Sequence, residues 1–224
     1  MPSECISPIQ GTRARIIRND ECGVPVAGAG SVIVIDGFVQ VGVSPQYEDG
    51  TEYVKTQANG VRCVNRRGND QFQRDEVTIE FCAIDPDAVA ITTGQDLVMG
   101  EDTGTGFWVR EGEVTARWSL EVWQADAEAE CGEEGTARYA YWVWPNLSAG
   151  RLSDFTVEDD VLEWTIVANS ERASVNFALP EPTPIPLPPP ANTHRGFNVT
   201  TVPPPEVTGC GAGTLTIGGG NGGG

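Results

Sequence analysis

The sequence predicts a mainly β protein, a β-sandwich or barrel with one short flanking α-helix and an extended C-terminal arm, and three features carry that expectation. Apolar residues alternate with a period of two in several segments, which places every second side chain on one face of a strand. Turn pairs containing Gly, Asp or Asn separate those segments. A single stretch, Pro86 to Thr93, carries the start and stop signals of a helix.

In chain order, the first strong strand signal is Val32 to Ile35, which is apolar on both faces. Such a run suits a strand covered on both sides, and it leaves room for a second subunit as one of the covers. Asp36-Gly37 then separates it from Phe38 to Val41, and a DG pair between β-rich runs predicts a hairpin. In Glu76 to Phe81, residues Val77, Ile79 and Phe81 face one way while the acids and Thr78 face the other. Ala116 to Val122 reads the same way, with an apolar even stripe and a polar odd one, so both are expected to be half-buried strands. Tyr139 to Trp144 is again apolar on both faces, and Asp159-Asp160 is expected to reverse the chain before Leu162, Trp164 and Ile166 share a face. The helix is bounded by Asp85 as N-cap, Pro86 at the first helical position, Asp87 at the positive end of the dipole and Gly94 at its end. About two turns long, it is expected to cover an open end of the sheet.

The chain divides on composition into a β domain over residues 1–179, a Pro-rich linker over 180–190, a C-terminal arm over 191–217 and a flexible Gly-rich tail over 218–224. The Pro run cannot donate to a β ladder and reads as a semi-rigid polyproline II spacer. Beyond it, Phe197 to Val202 forms a lone strand that needs a sheet edge, on this chain or on another copy, with Phe197, Val199 and Val202 as its contact residues. Within the β domain, residues 44–73 run polar and Gly-dotted, a long excursion from the core of the kind that usually serves function. Arg62, Arg66, Arg67 and Arg74 make it the densest basic cluster in the chain. With Tyr47, Glu48, Asp49 and Tyr53 they form the candidate surface for docking on a neighbouring copy.

The formal charge of -18 arises from 32 acids and 14 bases, and residues 85–175 alone carry 19 acids against 5 bases. Nucleic-acid binding needs cations at the phosphates, so a chain with one Lys and this acidity is expected to repel DNA rather than grip it. No apolar run approaches the roughly 20 residues of a membrane span, and no secretory h-region opens the chain, so a protein that stays in its compartment of synthesis is expected. The six cysteines, Cys5, Cys22, Cys63, Cys82, Cys131 and Cys210, form no close pair. With His194 as the single histidine, neither a zinc site nor a disulfide framework is expected. Nucleophilic catalysis needs a base beside the nucleophile, and His194 sits in the Pro-flanked arm, far from any expected pocket. The acid pairs Glu133-Glu134 and Asp159-Asp160 fall in turns, and no phosphate-cradling glycine motif stands between a strand and a helix. No catalytic residue, cofactor or metal is therefore expected, and the chain is read as a non-enzyme.

Several strings taken in order resemble the major tail protein, the tail tube subunit, of long-tailed phages that infect actinobacteria. They are Asn19 to Pro25, Val77 to Pro86, Ser119 to Trp123, Tyr139 to Pro145, Gly150 to Glu158 and Thr200 to Glu206. The resemblance implies a β-sandwich or barrel with one flanking helix, six copies per ring, and rings stacked into a hollow virion tail that conducts DNA without binding it specifically. It also implies synthesis in the bacterial cytoplasm, and tape-measure, tail-terminator and tail-tip proteins as further partners. The 44–73 excursion would link stacked rings. An alternative reading is a β-sandwich binding module that holds carbohydrate or a cell-surface partner on Trp108, Trp142 or Trp144.

Overall fold

The computed structural model describes residues 6–83, 85–100, 104–126, 137–156 and 163–217. The protein is mainly β, with strands β1 (Pro8–Asn19), β2 (Gly28–Ile35), β3 (Phe38–Glu48), β4 (Glu52–Thr56), β5 (Arg62–Arg67) and β6 (Gln71–Phe81) preceding helix α1 (Pro86–Thr93). After it come β7 (Asp96–Met99), β8 (Gly104–Trp108), β9 (Arg117–Asp126), β10 (Tyr139–Leu152), β11 (Trp164–Ser170), β12 (Gly196–Thr200) and β13 (Gly213–Leu215). Nine strands form one sheet in the order β13-β2-β1-β9-β10-β11-β6-β3, with β12 also paired to β10. Every pairing is antiparallel.

The hairpin expected at Asp36-Gly37 does not form. β2 pairs with β1 and β13, and β3 pairs with β6 near the far end of the sheet. Two residues therefore carry the chain between distant strands of the order, which folds the sheet over on itself. Phe38 lands against Gly11 of β1, so closely that a Cβ at Gly11 would lie 2.6 Å from its ring. A short DG link serves a corner between layers as well as a hairpin, and β2 has both of its ladders occupied by other strands.

One interior cluster collects Ile16, Ile33, Val77, Ile79, Trp118, Leu120, Trp144 and Ile166 from strands all along the sheet. Helix α1 closes it as expected, contributing Ala88 and Ile91. Its caps are the expected ones: Asp85 Oδ1 accepts from the Asp87 N–H at 2.9 Å, and Gly94 ends the helix at φ 72°. The last turn touches the sheet backbone, because a Cβ on Gly150 of β10 would lie 2.0 Å from the Thr92 carbonyl oxygen. Gly150→Ala is accordingly expected to lower stability by about 1–3 kcal/mol in urea unfolding. Gly42→Ala, whose Cβ would make only ordinary contacts with Thr78, 3.7 Å from its Cβ and 4.0 Å from its carbonyl oxygen, should stay within about 0.5 kcal/mol of the parent.

A second apolar cluster lies on the other face of the same strands and corrects two expectations. β9 is not half-buried: Ser119, Glu121 and Trp123 on its odd face are as enclosed as Trp118 and Leu120 on its even face. The cover is the chain's own C-terminal third, since Phe177, Leu179, Ile185, Leu187, Leu215 and Ile217 pack there against Ile17, Val32, Val34, Trp123, Tyr141 and Val143. No second subunit is required to cover these strands. Nor is the Pro run a spacer leading away from the body, because Ile185 and Leu187 between the prolines anchor it to the sheet. The expected reversal at Asp159-Asp160 and the Gly-rich tail lie outside the described residues.

The second cluster surrounds a buried ion pair. Arg15 Nη2 donates to Glu121 Oε1 at 2.8 Å, Arg15 Nε donates to Oε2, and the Tyr141 hydroxyl donates to Oε1. The guanidinium also lies 5.4 Å from the centroid of the Trp123 ring. Burial, followed by the neighbouring Glu121 carboxylate, pushes the Tyr141 phenol well above its ordinary 10.0. A raised value means that the fold holds the neutral phenol, so this contribution is complete below pH 10 and drains away as pH climbs above it. The thermal midpoint should therefore fall above pH 10, and fall less steeply in Tyr141→Phe, as calorimetry across that range would show.

Candidate functional site: the projecting hairpin arm

The excursion over residues 44–73 is an ordered ribbon rather than an irregular loop. β3 and β6 stay paired from Phe38 opposite Phe81 out to Glu48 opposite Gln71, and β4 and β5 continue from Glu52 opposite Arg67 to Thr56 opposite Arg62. At the tip the chain reverses through Asn59-Gly60, where the Gln57 N–H donates to the Val61 carbonyl at 2.7 Å and Gly60 adopts φ 84°. At about 3.4 Å per residue, the stretch from Ser44 to Thr56 reaches roughly 40 Å. Every residue from 51 to 74 is exposed, so neither face of the ribbon is covered.

The joint between its two halves is a backbone contact. A Cβ on Gly50 would fall 2.1 Å from the Gly68 carbonyl oxygen, and the Gly68 N–H donates to the Thr51 carbonyl at 2.9 Å. Asp70 Oδ1 accepts from the Gly50 N–H at 2.9 Å and from Arg67 Nη2 at 2.9 Å. The backbone N–H of Gly50 leads, and Arg67 assists, in holding the Asp70 carboxyl below its ordinary value.

The expected docking residues all lie on this ribbon. Tyr47 is 61% exposed and meets Phe72 edge-on with centroids 5.7 Å apart. Glu48 accepts from Gln73 Nε2 at 2.8 Å, and Asp49 pairs with Arg67 at 2.9 Å. Tyr53, also 61% exposed, stands opposite Arg66. Arg67 is thus neutralised between Asp49 and Asp70, whereas Arg62, Arg66 and Arg74 have no carboxylate within 4 Å among the described residues. Val54, Val61 and Val64 near the tip are exposed as well, Val54 on one face of the ribbon and Val64 on the other.

The C-terminal contact residues are seated on their own chain. Val199 pairs with Ala140, and Phe197 pairs with Trp142, their ring centroids 4.6 Å apart, leaving Phe197 46% exposed. Val202 follows the strand, its N–H donating to Thr200 Oγ1 at 3.0 Å. An intramolecular edge was among the expected partners for this strand, and β10 supplies it.

At the root of the ribbon lies a polar node that the sequence did not reveal. Asp75, fully buried, accepts from Arg195 Nη1 at 3.1 Å, and its N–H donates to Ser170 Oγ at 2.8 Å. Ser170 Oγ in turn lies 3.0 Å from His194 Nδ1, and Phe72 stands edge-on to the imidazole at 5.2 Å. His194 is therefore beside a hydroxyl, contrary to its expected isolation. The Asp75 carboxylate, however, is turned to Arg195 rather than to the imidazole. The node ties the arm's root, β11 and the C-terminal segment together. Among the described residues no group of three or more His, Cys, Asp or Glu side chains is placed to hold a metal ion.

No family model matches this chain, and no curated protein does. The surface itself therefore carries the functional argument. No helix among the described residues is long and apolar enough to cross a membrane.

Proposed function

We propose that this chain is a structural subunit that works by assembling with copies of itself, its rings stacking into a hollow tube like the tails of long-tailed phages. The observation that carries the reading is the uncovered ribbon. A two-stranded ribbon is marginal on its own in water, and its unpaired edges and exposed apolar side chains are satisfied when another surface covers them. Its charge selects the partner. Residues 44–74 hold five bases and four acids, against 9 bases and 28 acids in the remainder, so the arm of one copy is drawn to the acidic body of the next. Six copies per ring, a lumen that conducts DNA, and contacts with tape-measure, tail-terminator and tail-tip proteins belong to the same reading and rest on the sequence resemblance. An acidic lumen would let DNA slide without sticking.

Excision of residues 50–68 tests the role of the arm, since Glu48 opposite Gln71 then closes over Asp49, Asn69 and Asp70 as a short turn. In sedimentation velocity, the full chain should form large species whose share rises with concentration and falls with salt. The excised chain should stay monomeric with an unchanged near-ultraviolet circular dichroism spectrum. Assembly of the excised chain at the parent's concentration would overturn the proposal.

A further inference from the structure

The folded sheet leaves its mouth open between β3 and the β9–β10 pair, and the opening is a cavity of about 490 Å3. That volume lies within the range that small-molecule sites occupy, roughly 300–1,000 Å3. Its walls are apolar: Phe38, Val41 and Val43 on one side, Val122, Trp142 and Trp144 on the other. The two indoles are stacked, 18° apart with centroids separated by 6.4 Å; Trp144 is enclosed in the core, and Trp142 is the more accessible of the two.

Two register irregularities rim this mouth. β3 shifts between Phe38 and Gln40, which allows Val39 and Gln40 to line the cavity together, and β1 shifts between Gly11 and Arg13 beside Gln124. Bulges of this kind gather next to binding sites, where they re-aim side chains.

Three polar side chains converge on the cavity, each with one end already fixed. Trp142 Nε1 donates to Gln124 Oε1 at 2.9 Å, leaving the Gln124 amide N–H groups to donate elsewhere. Gln40 Nε2 donates to Glu80, leaving Gln40 Oε1 as an acceptor. Arg195 spends Nη1 on Asp75 and retains its other N–H donors.

This lining excludes most ligand classes. Among the described residues no carboxylate lines the cavity, which disfavours a cation, and Arg195 is balanced by buried Asp75, which disfavours an anion. An aliphatic chain would use the apolar walls alone and leave the Gln124 amide, Gln40 Oε1 and the remaining Arg195 N–H groups unused at the mouth. A neutral molecule with one apolar face and a rim of hydroxyls satisfies both the apolar walls and the convergent donors and acceptor. We infer that this cavity binds a pyranoside, its ring stacked on Trp142 and its hydroxyls bonded to Gln40, Gln124 and Arg195. The inference is independent of self-assembly, because none of these residues lies on the arm beyond Val43.

The test is a titration of the full chain with methyl glucoside, maltose, cellobiose and N,N′-diacetylchitobiose, followed by tryptophan fluorescence and calorimetry. At least one should bind saturably in the millimolar range or tighter. Trp142→Ala and Gln40→Ala should each weaken that binding by about ten-fold or more. Gln40 is exposed and outside the core, so its variant reports on binding even if Trp142→Ala perturbs folding. Absence of saturable binding for all four sugars, or binding indifferent to Gln40→Ala, would overturn the inference.

Discussion

Glu121→Ala is expected to cost about 3–5 kcal/mol, a large share of the 5–15 kcal/mol by which a domain is ordinarily stable. Glu121 is completely enclosed, and it takes hydrogen bonds from both Arg15 and Tyr141. Truncation leaves a guanidinium that is only 8% exposed, with its carboxylate acceptor gone. Burial by itself would lower the Arg15 value, and Glu121, with a smaller contribution from Tyr141, more than reverses that effect, so removing the carboxylate exposes most of the desolvation penalty. The pair as a whole is worth much less than this loss suggests, because replacing both partners avoids an orphaned charge. Arg15→Met with Glu121→Leu should therefore recover most of the stability. Urea unfolding of the single and double variants measures the difference; a single variant within about 1 kcal/mol of the parent would mean that the pair is not enclosed as described.

Trp123→Ala should be nearly as damaging, at about 3–5 kcal/mol, and it should carry a second, local signature. Trp123 is 1% exposed, meets Tyr141 at 4.9 Å between centroids, and forms part of the floor on which Phe177, Leu179, Ile185 and Leu187 rest. Removing the indole opens a void beneath the Pro run, so that the segment from residue 177 onward loses much of its anchor. Limited proteolysis should then cut within residues 177–195 well before the β9–β10 pair opens, whereas the parent should resist cleavage there. Uniform resistance in both proteins would contradict the assignment of this segment as the second cover of the sheet.

The helix and the strands were legible in the sequence where local chemistry decides structure. Asp85, Pro86 and Gly94 mark α1 to the residue, and the alternation Val77, Ile79, Phe81 identifies the buried face of β6. Pairing was less legible. Asp36-Gly37 reads as a hairpin because local turn chemistry cannot report that β2 is flanked by β1 and β13 instead. The odd face of β9 looked solvated because Glu121 is ionic, and only the fold brings Arg15 across 106 residues to meet it. The Pro run looked like a spacer, although Phe177, Leu179, Ile185 and Leu187 supply apolar anchors at its start and within it. Of the candidate site, the basic cluster and exposed tyrosines could be found by composition. The Tyr47–Phe72 contact depends on a register shift between Gln46 and Tyr47, and the Ser170–His194 contact on chain topology, so neither leaves a sequence signal.

Electron microscopy of the purified full-length chain, concentrated at low salt, tests self-assembly most directly. The account predicts rings or hollow tubes built from repeating copies. A field of separate 23.9 kDa particles at every concentration and ionic strength would contradict it.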